Sequence, residues 1–323
     1  MQINPFTPRD RITDPQQFIG RWVELSQVFD ALDARRPALL YGGARIGRSS
    51  LLSHLVAAAP ANLDDPTMRA YYLDVARADS ASHVYTTLTR ALRSSGDTTA
   101  ALDVAVIEAG ARVLIALDNL DAALAAGWGS DMLEALARIA RSGTLLVTGA
   151  CRTVPPPLSE PVMPIRIGAF SKADLALLTD AYLGEGPIRF TPEDRRAVAQ
   201  LTALHPAAVQ IASFHLFRTK TEPEYDWRAA ARAEASNLGV PTQAADAPAF
   251  LGERGVGHPL DGTAGTRGGP QTSPQTIVIS AVMPLLLLCA VIALVLLLLS
   301  NNLLLALLVG GGGALLVLLR RRA

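Results

Sequence analysis

The chain has 323 residues, of which 50% are hydrophobic, and its 29 basic and 29 acidic residues give a formal net charge of zero. This balance gives no sign of the basic stripe of nucleic-acid-binding proteins, so we expect no nucleic-acid partner. The two cysteines, Cys151 and Cys289, are too few for a disulfide framework and indicate a reducing compartment. The N-terminus lacks the basic-then-apolar pattern of a signal peptide, so we expect the first 240 residues to stay in the cytoplasm.

From the N-terminus onward, short apolar runs alternate with segments of helical periodicity. The run 113–117 is continuously apolar, as expected for a strand buried on both faces. The alternation predicts an α/β fold of the P-loop NTPase type, a parallel sheet with helices on both faces, over residues 1–168. The predicted helices are 16–34, 49–58, 81–94 and 131–141, and the predicted strands are 37–41, 69–75, 113–117, 144–148 and 164–168.

After residue 168 the pattern changes to helices alone. Ser171 is followed by Asp174, and Thr191 by Asp194, so each hydroxyl has an acidic residue three positions later. This spacing is typical of helix N-termini, and it predicts a small helical lid subdomain over residues 169–239. Residues 240–275 are rich in Pro, Gly, Thr and Ala and lack periodicity, which predicts a flexible linker.

Residues 276–323 are predicted to form a transmembrane hairpin. Residues 277–299 carry no charge and are long enough to span a hydrocarbon core of about 30 Å. An Asn-containing turn separates them from a second uncharged run, 303–319, that ends in three arginines. The basic tail is expected on the cytoplasmic side, so we expect a two-helix, multi-pass protein of the cell membrane with the lipid bilayer as a partner. The glycine run 310–313 permits close helix packing within one chain or in a homo-oligomer.

The chemistry-bearing motif lies between the strand 37–41 and the helix 49–58. It matches G-x-x-x-x-G-[K]-[ST] at every fixed position except the lysine, which is Arg48 here. Glycines let backbone N–H groups turn toward phosphates, the helix N-terminus favours anions, and the Ser49 hydroxyl is a ligand for Mg²⁺. The predicted nucleotide-binding residues in this loop are Gly42, Gly43, Ala44, Arg45, Ile46, Gly47, Arg48, Ser49 and Ser50.

A second part of the site is predicted at the end of the strand 113–117. Asp118 is expected to hold Mg²⁺ with Ser49, although a helix-capping role is the alternative for this aspartate. Many hydrolysing P-loop proteins need a residue here to position the attacking water. Asn119 and Asp121 are the candidates, with a solvated loop position as the alternative for Asp121. Asn119 can orient water but cannot accept its proton.

The order of these segments resembles the opening of the STAND-type, AAA+-related P-loop ATPases, including the archaeal-ATPase-like group. The resemblance covers about residues 4–220. It rests on Asn4-Pro5-Phe6, Phe18-Ile19-Gly20-Arg21 with Glu24, Gly42–Ser49 continued by Ser50-Leu51-Leu52, Leu145–Gly149 and Leu204-His205-Pro206.

The resemblance implies ATP or ADP with Mg²⁺ as ligand. It places Gly20 and Arg21 beside the adenine, makes the Leu145–Gly149 segment a sensor strand, and brings Pro206 near the phosphates. The family has glycine where this chain has Leu204, and an exposed loop position is the alternative for His205.

The leading hypothesis is a membrane-anchored, nucleotide-dependent switch in signalling or defence, with weak or no hydrolysis and an unidentified protein partner. A second hypothesis is a non-nucleotide membrane scaffold built on a degenerate P-loop fold. A third is a competent membrane-bound ATPase, for which Arg138, Arg141 and Arg152 are candidate arginine fingers. Arg48 and Asn119 favour the second hypothesis.

Overall fold

The computed structural model describes residues 3–154 and 157–243. The predicted transmembrane hairpin and all but the first residues of the predicted linker lie outside this part of the chain. No helix within the described residues combines the length and the apolar character that crossing a membrane requires. The first linker residues belong to the folded unit, because Val240 is buried and the Gln243 amide donates to the Leu201 carbonyl.

Strands and helices alternate through the first part of the described chain, and helices alone follow. The strands are β1 (Ala38–Tyr41), β2 (Arg69–Asp74), β3 (Val113–Asp118), β4 (Leu145–Cys151) and β5 (Met163–Arg166). The helices among them are α1 (Trp22–Asp33), α2 (Arg48–Asn62), α3 (Ala81–Ala91), α4 (Thr99–Glu108), α5 (Asp121–Ala125) and α6 (Trp128–Ala140). The later helices are α7 (Lys172–Leu183), α8 (Pro192–Thr202), α9 (Pro206–Thr219) and α10 (Trp227–Asn237).

The described strands form one five-stranded sheet in the order β2-β3-β4-β1-β5, and every neighbouring pair is parallel. All residues of β3 and β4 are buried, as expected for central strands covered on both faces. This confirms the predicted α/β fold with a parallel sheet.

Helices cover both faces of the sheet. Alternate side chains of each strand point to opposite faces, so one strand contributes to the apolar core on each side. On one face, Ile115 and Leu117 pack with side chains from α3, α4 and α6. On the other face, Leu114 and Ala116 pack with side chains from α1 and α2. Asp118 follows Ala116 by two positions, so its side chain lies on the face that carries α2.

Helices α7 to α10 pack around a third apolar core, and this helical region is called the lid below. Both predicted capping boxes are present, Ser171 with Asp174 and Thr191 with Asp194. Phe6, which is fully buried, joins this core and stacks on Phe190. The N-terminal segment is therefore part of the lid, although it is far from the lid in sequence.

The helix predicted over residues 16–34 is shorter than expected. A 3₁₀ turn at Pro15–Gln17 is followed by Gly20 and Arg21, which both have positive φ, and α1 begins only at Trp22. A left-handed pair cannot continue a right-handed helix. The structure also contains α4 and the short helix α5, neither of which the pattern predicted.

Candidate nucleotide-binding site

The loop between β1 and α2 needs glycine at two positions for different reasons. At Gly42 a Cβ atom would lie 2.5 Å from the backbone carbonyl oxygen of Ile167, so a side chain there would displace the backbone. Gly47 is the N-cap of α2 and has φ of 96°, a left-handed conformation that other residues adopt at a cost. Helix α2 starts at Arg48, one residue before the predicted start, and presents its free N–H groups toward the loop.

A cavity of about 410 Å³ opens between this loop, the lid and the N-terminal segment. That volume lies within the roughly 300–1,000 Å³ of small-molecule sites. Of the predicted site residues, those that line the cavity are Arg21, residues 44–50, Asn119 and Pro206. Apolar side chains from the N-terminal segment and the lid, such as Ile12, Phe18 and Ile211, complete the wall. The site therefore joins a polar loop to an apolar surface, as a nucleotide requires.

Arg48 carries a buried group of the site that has no hydrogen-bond partner among the described residues. That group is the Nη1 atom of its guanidinium. Burial lowers the pKa of the guanidinium, and the negative charges of Asp121 and Asp118 oppose that shift without cancelling it. A buried donor without a partner is costly, and an anion bound in the cavity would supply one.

Gln210 of α9 is a second unpaired donor that lines the cavity. It is buried, and its Nε2 atom has no hydrogen-bond partner among the described residues. Gln210 could not be predicted as a site residue, because a single glutamine in an apolar helix forms no motif.

Asp118 is nearly inaccessible, with 2% of its surface exposed, and both of its carboxylate oxygens accept hydrogen bonds. The backbone N–H of Asn119 donates to Oδ1 over 2.9 Å, and the Tyr72 hydroxyl donates to Oδ2. Burial and this hydrogen bond raise the pKa of Tyr72. Asp118 does not cap a helix, since the N-cap of α5 is Leu120.

Asn119 and Asp121 are both engaged with protein groups. Asn119 has φ of 57°, and its side-chain amide donates to Asp74 Oδ1 over 2.9 Å. Asp121 accepts a 2.7 Å hydrogen bond from the backbone N–H of Arg152, whose Nε lies 3.9 Å from the same carboxylate. Asp121 is not among the residues that line the cavity, whereas Arg152 is. The sequence suggested Arg152 as an arginine finger. The structure places it directly after β4, at the cavity of its own chain.

The guanidinium of Arg21 is hydrogen-bonded both to the loop before α2 and to the segment that leads into the lid. It is 5% exposed and donates to Glu24 and to the carbonyl oxygens of Ile46 and Gly168, over 2.7–3.0 Å. These bonds fix the loop to the start of the lid and occupy the side chain, so the backbone of Arg21 is the part available to a base. Gly20 does not line the cavity, and a Cβ there would meet a carboxylate oxygen of Asp174 at 2.8 Å.

The segment Leu204-His205-Pro206 brings the lid to the loop. His205 is half-buried, not an exposed loop residue, and its Nε2 lies 3.1 Å from the Ala44 carbonyl oxygen. Burial lowers the pKa of His205, the hydrogen bond to Ala44 opposes this, and the charge of Arg21 adds to it. Leu204 has φ of 61°, so this chain keeps the left-handed conformation where the resembling family has glycine.

The chemistry of the donor set fits Mg²⁺ with a polyphosphate, although Ser49 lines the cavity and Asp118 is not among the residues that line it. Ser49 and Asp118 offer hard oxygen atoms, which Mg²⁺ prefers, and Arg48 offers an unpaired cationic donor for phosphate. No group of three or more His, Cys, Asp or Glu side chains able to hold a metal occurs in the described part of the chain. Mg²⁺ in phosphate sites needs only one or two carboxylates, since phosphates and water complete its coordination.

Similarity to known proteins is found at the level of structure. The sequence matches no known family model, and no curated protein matches it. The Walker-type ATPase PABY2304 of Pyrococcus abyssi superposes with a TM-score of 0.54 at 13% identity, covering 73% of this chain and 76% of that one. The Aeropyrum pernix ORC2 protein superposes with a TM-score of 0.55 at 12% identity, covering 72% and 71%. These likenesses establish the P-loop ATPase fold.

A STAND protein with a tetratricopeptide repeat sensor, PH0952 from Pyrococcus horikoshii, superposes less closely. Its TM-score is 0.42 at 20% identity, and the match covers 67% of this chain and 33% of that one.

Proposed function

We propose that this protein binds ATP or ADP with Mg²⁺ between its α/β core and its helical lid, and acts as a nucleotide-dependent switch with weak or no hydrolysis. The observation that carries the proposal is Arg48. Arg48 lines the cavity at the N-terminus of α2, and its guanidinium includes a buried nitrogen without a hydrogen-bond partner among the described residues. Cationic donors and helix N-termini both favour phosphate. The structure of one neighbour, the ORC2 protein, is of its ADPNP-ADP complexes.

The residues near Asp118 support binding more than hydrolysis. Hydrolysis needs a group that orients the attacking water. Asn119 follows Asp118 directly, and its amide donates to Asp74. The Asp121 carboxylate accepts the backbone N–H of Arg152. Both candidate water-positioning groups therefore already hold protein partners, which is the basis for expecting slow turnover.

The contacts between the lid and the loop support a switch. His205 of the lid contacts the Ala44 carbonyl, and Arg21 joins the Ile46 and Gly168 carbonyls. A terminal phosphate attracts Arg48 or Arg152 and so acts on the loop before α2 and on the end of β4. One wall of the cavity comes from the lid. ATP and ADP, which differ by that phosphate, therefore favour different positions of the lid.

In the proposed complex, each residue of the chain has a defined task. The amides of the loop and of the first turn of α2 donate to phosphate oxygens, and Arg48 neutralises their charge. Ser49 and Asp118 hold the Mg²⁺, which supplies charge neutralisation between phosphates when bound. The apolar lid residues exclude water from the base.

The test is calorimetric titration of the full chain, in detergent because of its apolar C-terminal residues, with ATP, ADP and GTP in the presence of Mg²⁺. Gly47→Val should abolish binding, because it strains the loop beside the phosphates. Gly110→Val is the matched control, since Gly110 also has positive φ and no atom near its missing Cβ, yet lies at the end of α4. Asp118→Asn should weaken binding only when Mg²⁺ is present.

The outcomes separate the three hypotheses. Saturable binding with slow turnover supports the switch. Steady hydrolysis that Asp118→Asn removes favours a competent ATPase. Absence of any heat or thermal shift with each nucleotide contradicts nucleotide binding and favours a scaffold that uses the fold without its ligand.

We also propose that residues 277–319 anchor the chain in a membrane. The support is their sequence, two long uncharged runs followed by three arginines. Vesicle flotation of the full chain, compared with a chain that ends at residue 243, tests it. Equal flotation of the two proteins would contradict an anchor in this segment.

A further inference from the structure

The carboxylate of Asp118 is held from two sides before any metal is considered. Asn119 donates its backbone N–H to Oδ1, and the Tyr72 hydroxyl donates to Oδ2. The backbone bond comes from the neighbouring residue. The tyrosine bond comes from another strand, 46 residues away in sequence. Tyr72 is therefore the tertiary contact that sets the orientation of this side chain.

The sheet register explains how Tyr72 reaches Asp118. Strand β2 lies at the edge of the sheet and pairs with β3 so that Tyr72 is opposite Ala116. Because side chains alternate between faces, Tyr72, Ala116 and Asp118 share one face, and Tyr72 lies diagonally from Asp118. This is the face covered by α2, which begins with Arg48 and Ser49.

Tyr72 is itself held by Arg11. The Arg11 guanidinium carbon lies 4.1 Å from the centroid of the Tyr72 ring, a cation–π distance. Arg11 belongs to the N-terminal segment, residues 9–12, which is fixed on both sides. Arg9 forms an ion pair with Glu234 of the lid, and the Ile12 N–H donates to Ser50 Oγ over 3.0 Å.

We propose that Tyr72 is the positioning residue of the metal-holding carboxylate Asp118, and that Arg11 keeps Tyr72 in place. The proposal rests on the proposed function, since it concerns Mg²⁺ at the same site. Each oxygen of Asp118 accepts one bond from the protein and keeps a second lone pair for the metal or its water. A carboxylate fixed in this way meets the metal without losing side-chain freedom at that moment.

The expected size of the effect follows from other metal sites. Hydrogen-bond partners behind a ligand typically change metal affinity by about 10- to 100-fold when they are removed. Tyr72→Phe removes only the hydroxyl and keeps the ring beneath Arg11. We therefore expect it to weaken divalent-metal binding about 10-fold, at the lower end of this range, because Asn119 still holds the other oxygen.

Tyr72 and Arg11 also connect the metal site to the lid. Arg11 contacts Tyr72, and two residues earlier Arg9 is paired with Glu234 of α10. A displacement of the lid that moves this segment removes Arg11 from the ring and loosens Asp118. Metal affinity then depends on the lid position, through groups that do not touch the metal.

The experiment is a titration of the full chain and ADP with Mn²⁺, followed by electron paramagnetic resonance of free Mn²⁺. Tyr71→Phe is the matched control, because Tyr71 is the neighbouring tyrosine of β2 and its hydroxyl bonds to the Ala91 carbonyl instead. ADP affinity in excess EDTA is measured in parallel. Tyr72→Phe should weaken Mn²⁺ binding about 10-fold and leave metal-free ADP affinity unchanged, whereas Tyr71→Phe should change neither.

Arg11 is tested by the ratio of ADP affinities with and without Mn²⁺, because Arg11 also lines the cavity. Arg11→Ala should lower this ratio, and Arg11→Lys, which keeps a cation for the ring, should restore part of it. A general loss of structure would lower both affinities together and leave the ratio unchanged.

The results separate the two proposals. Unchanged or tighter Mn²⁺ binding in Tyr72→Phe, with normal metal dependence in the native chain, overturns the role of Tyr72 and leaves nucleotide binding intact. A native chain that binds no ADP overturns both proposals.

Discussion

Replacing Arg48 by methionine should raise the stability of the ligand-free protein and weaken nucleotide binding at the same time. Methionine keeps a flexible, unbranched stem of similar reach and removes only the guanidinium. In the ligand-free chain the guanidinium lowers the free energy of unfolding, because Nη1 is buried without a partner and burial lowers the pKa of the side chain. In the proposed complex the same group contacts phosphate.

The magnitude can be worked from these contacts. A buried polar group without a partner costs about 1–3 kcal/mol. The attractions of Arg48 to Asp121 and Asp118 oppose this gain. The Asp121 side chain is one-third exposed, and a solvent-screened pair of this kind contributes about 0–1 kcal/mol. The net gain in the free energy of unfolding is therefore about 1 kcal/mol, or a rise in Tm of about 2–4 °C for a folded unit of this size. Charged hydrogen bonds contribute about 1.5–3 kcal/mol, so ATP affinity should fall roughly 10- to 150-fold.

The assay is differential scanning calorimetry of the full chain without ligand, followed by isothermal titration with Mg²⁺-ATP. Arg90→Met is the control, because Arg90 is an exposed helix residue outside the cavity. A lower Tm for Arg48→Met together with unchanged ATP affinity would refute the reasoning, since it would mean that Arg48 serves the fold and not an anion.

The remaining predictions concern the loop and its contact with the lid. Gly42→Ala should destabilise the protein by about 1–3 kcal/mol, because the new Cβ would meet the Ile167 carbonyl at 2.5 Å. Gly43→Ala should destabilise the protein far less, because nothing lies within 4 Å of its new Cβ. Urea titration of the two variants measures the difference. Burial lowers the pKa of His205, so its contribution to stability is complete above its unfolded pKa of about 6.5 and is lost as the pH falls below that value. The free energy of unfolding should therefore fall as the pH drops below about 6.5. His205→Asn should flatten this slope, and an unchanged slope would show that the titration of His205 does not cause it.

Two solved structures at 12–13% identity support the P-loop ATPase fold that the resemblance to STAND-type ATPases implies. The membrane hairpin stays a prediction, because residues 244–323 lie outside the described part of the chain. The signalling role stays a prediction with it.

The course of the α/β core followed from local signals. Continuous apolar runs predicted the central strands, because a strand covered on both faces tolerates few polar side chains. The capping pairs at Ser171 and Thr191 predicted the starts of α7 and α8, and both boxes are present. The pattern missed α4, because Val104 and Ile107 are exposed apolar residues and leave that helix without a polar face.

The sequence by itself determined the phosphate loop, since glycine spacing between a strand and a helix is a local property of the backbone. Only the tertiary structure decided what surrounds it. The strand order brings Tyr72 to Asp118, β4 delivers Arg152, and the lid places His205 against the loop. These contacts join residues far apart in the chain, and no local pattern records them, because each depends on how the sheet and the lid pack and not on neighbouring residues.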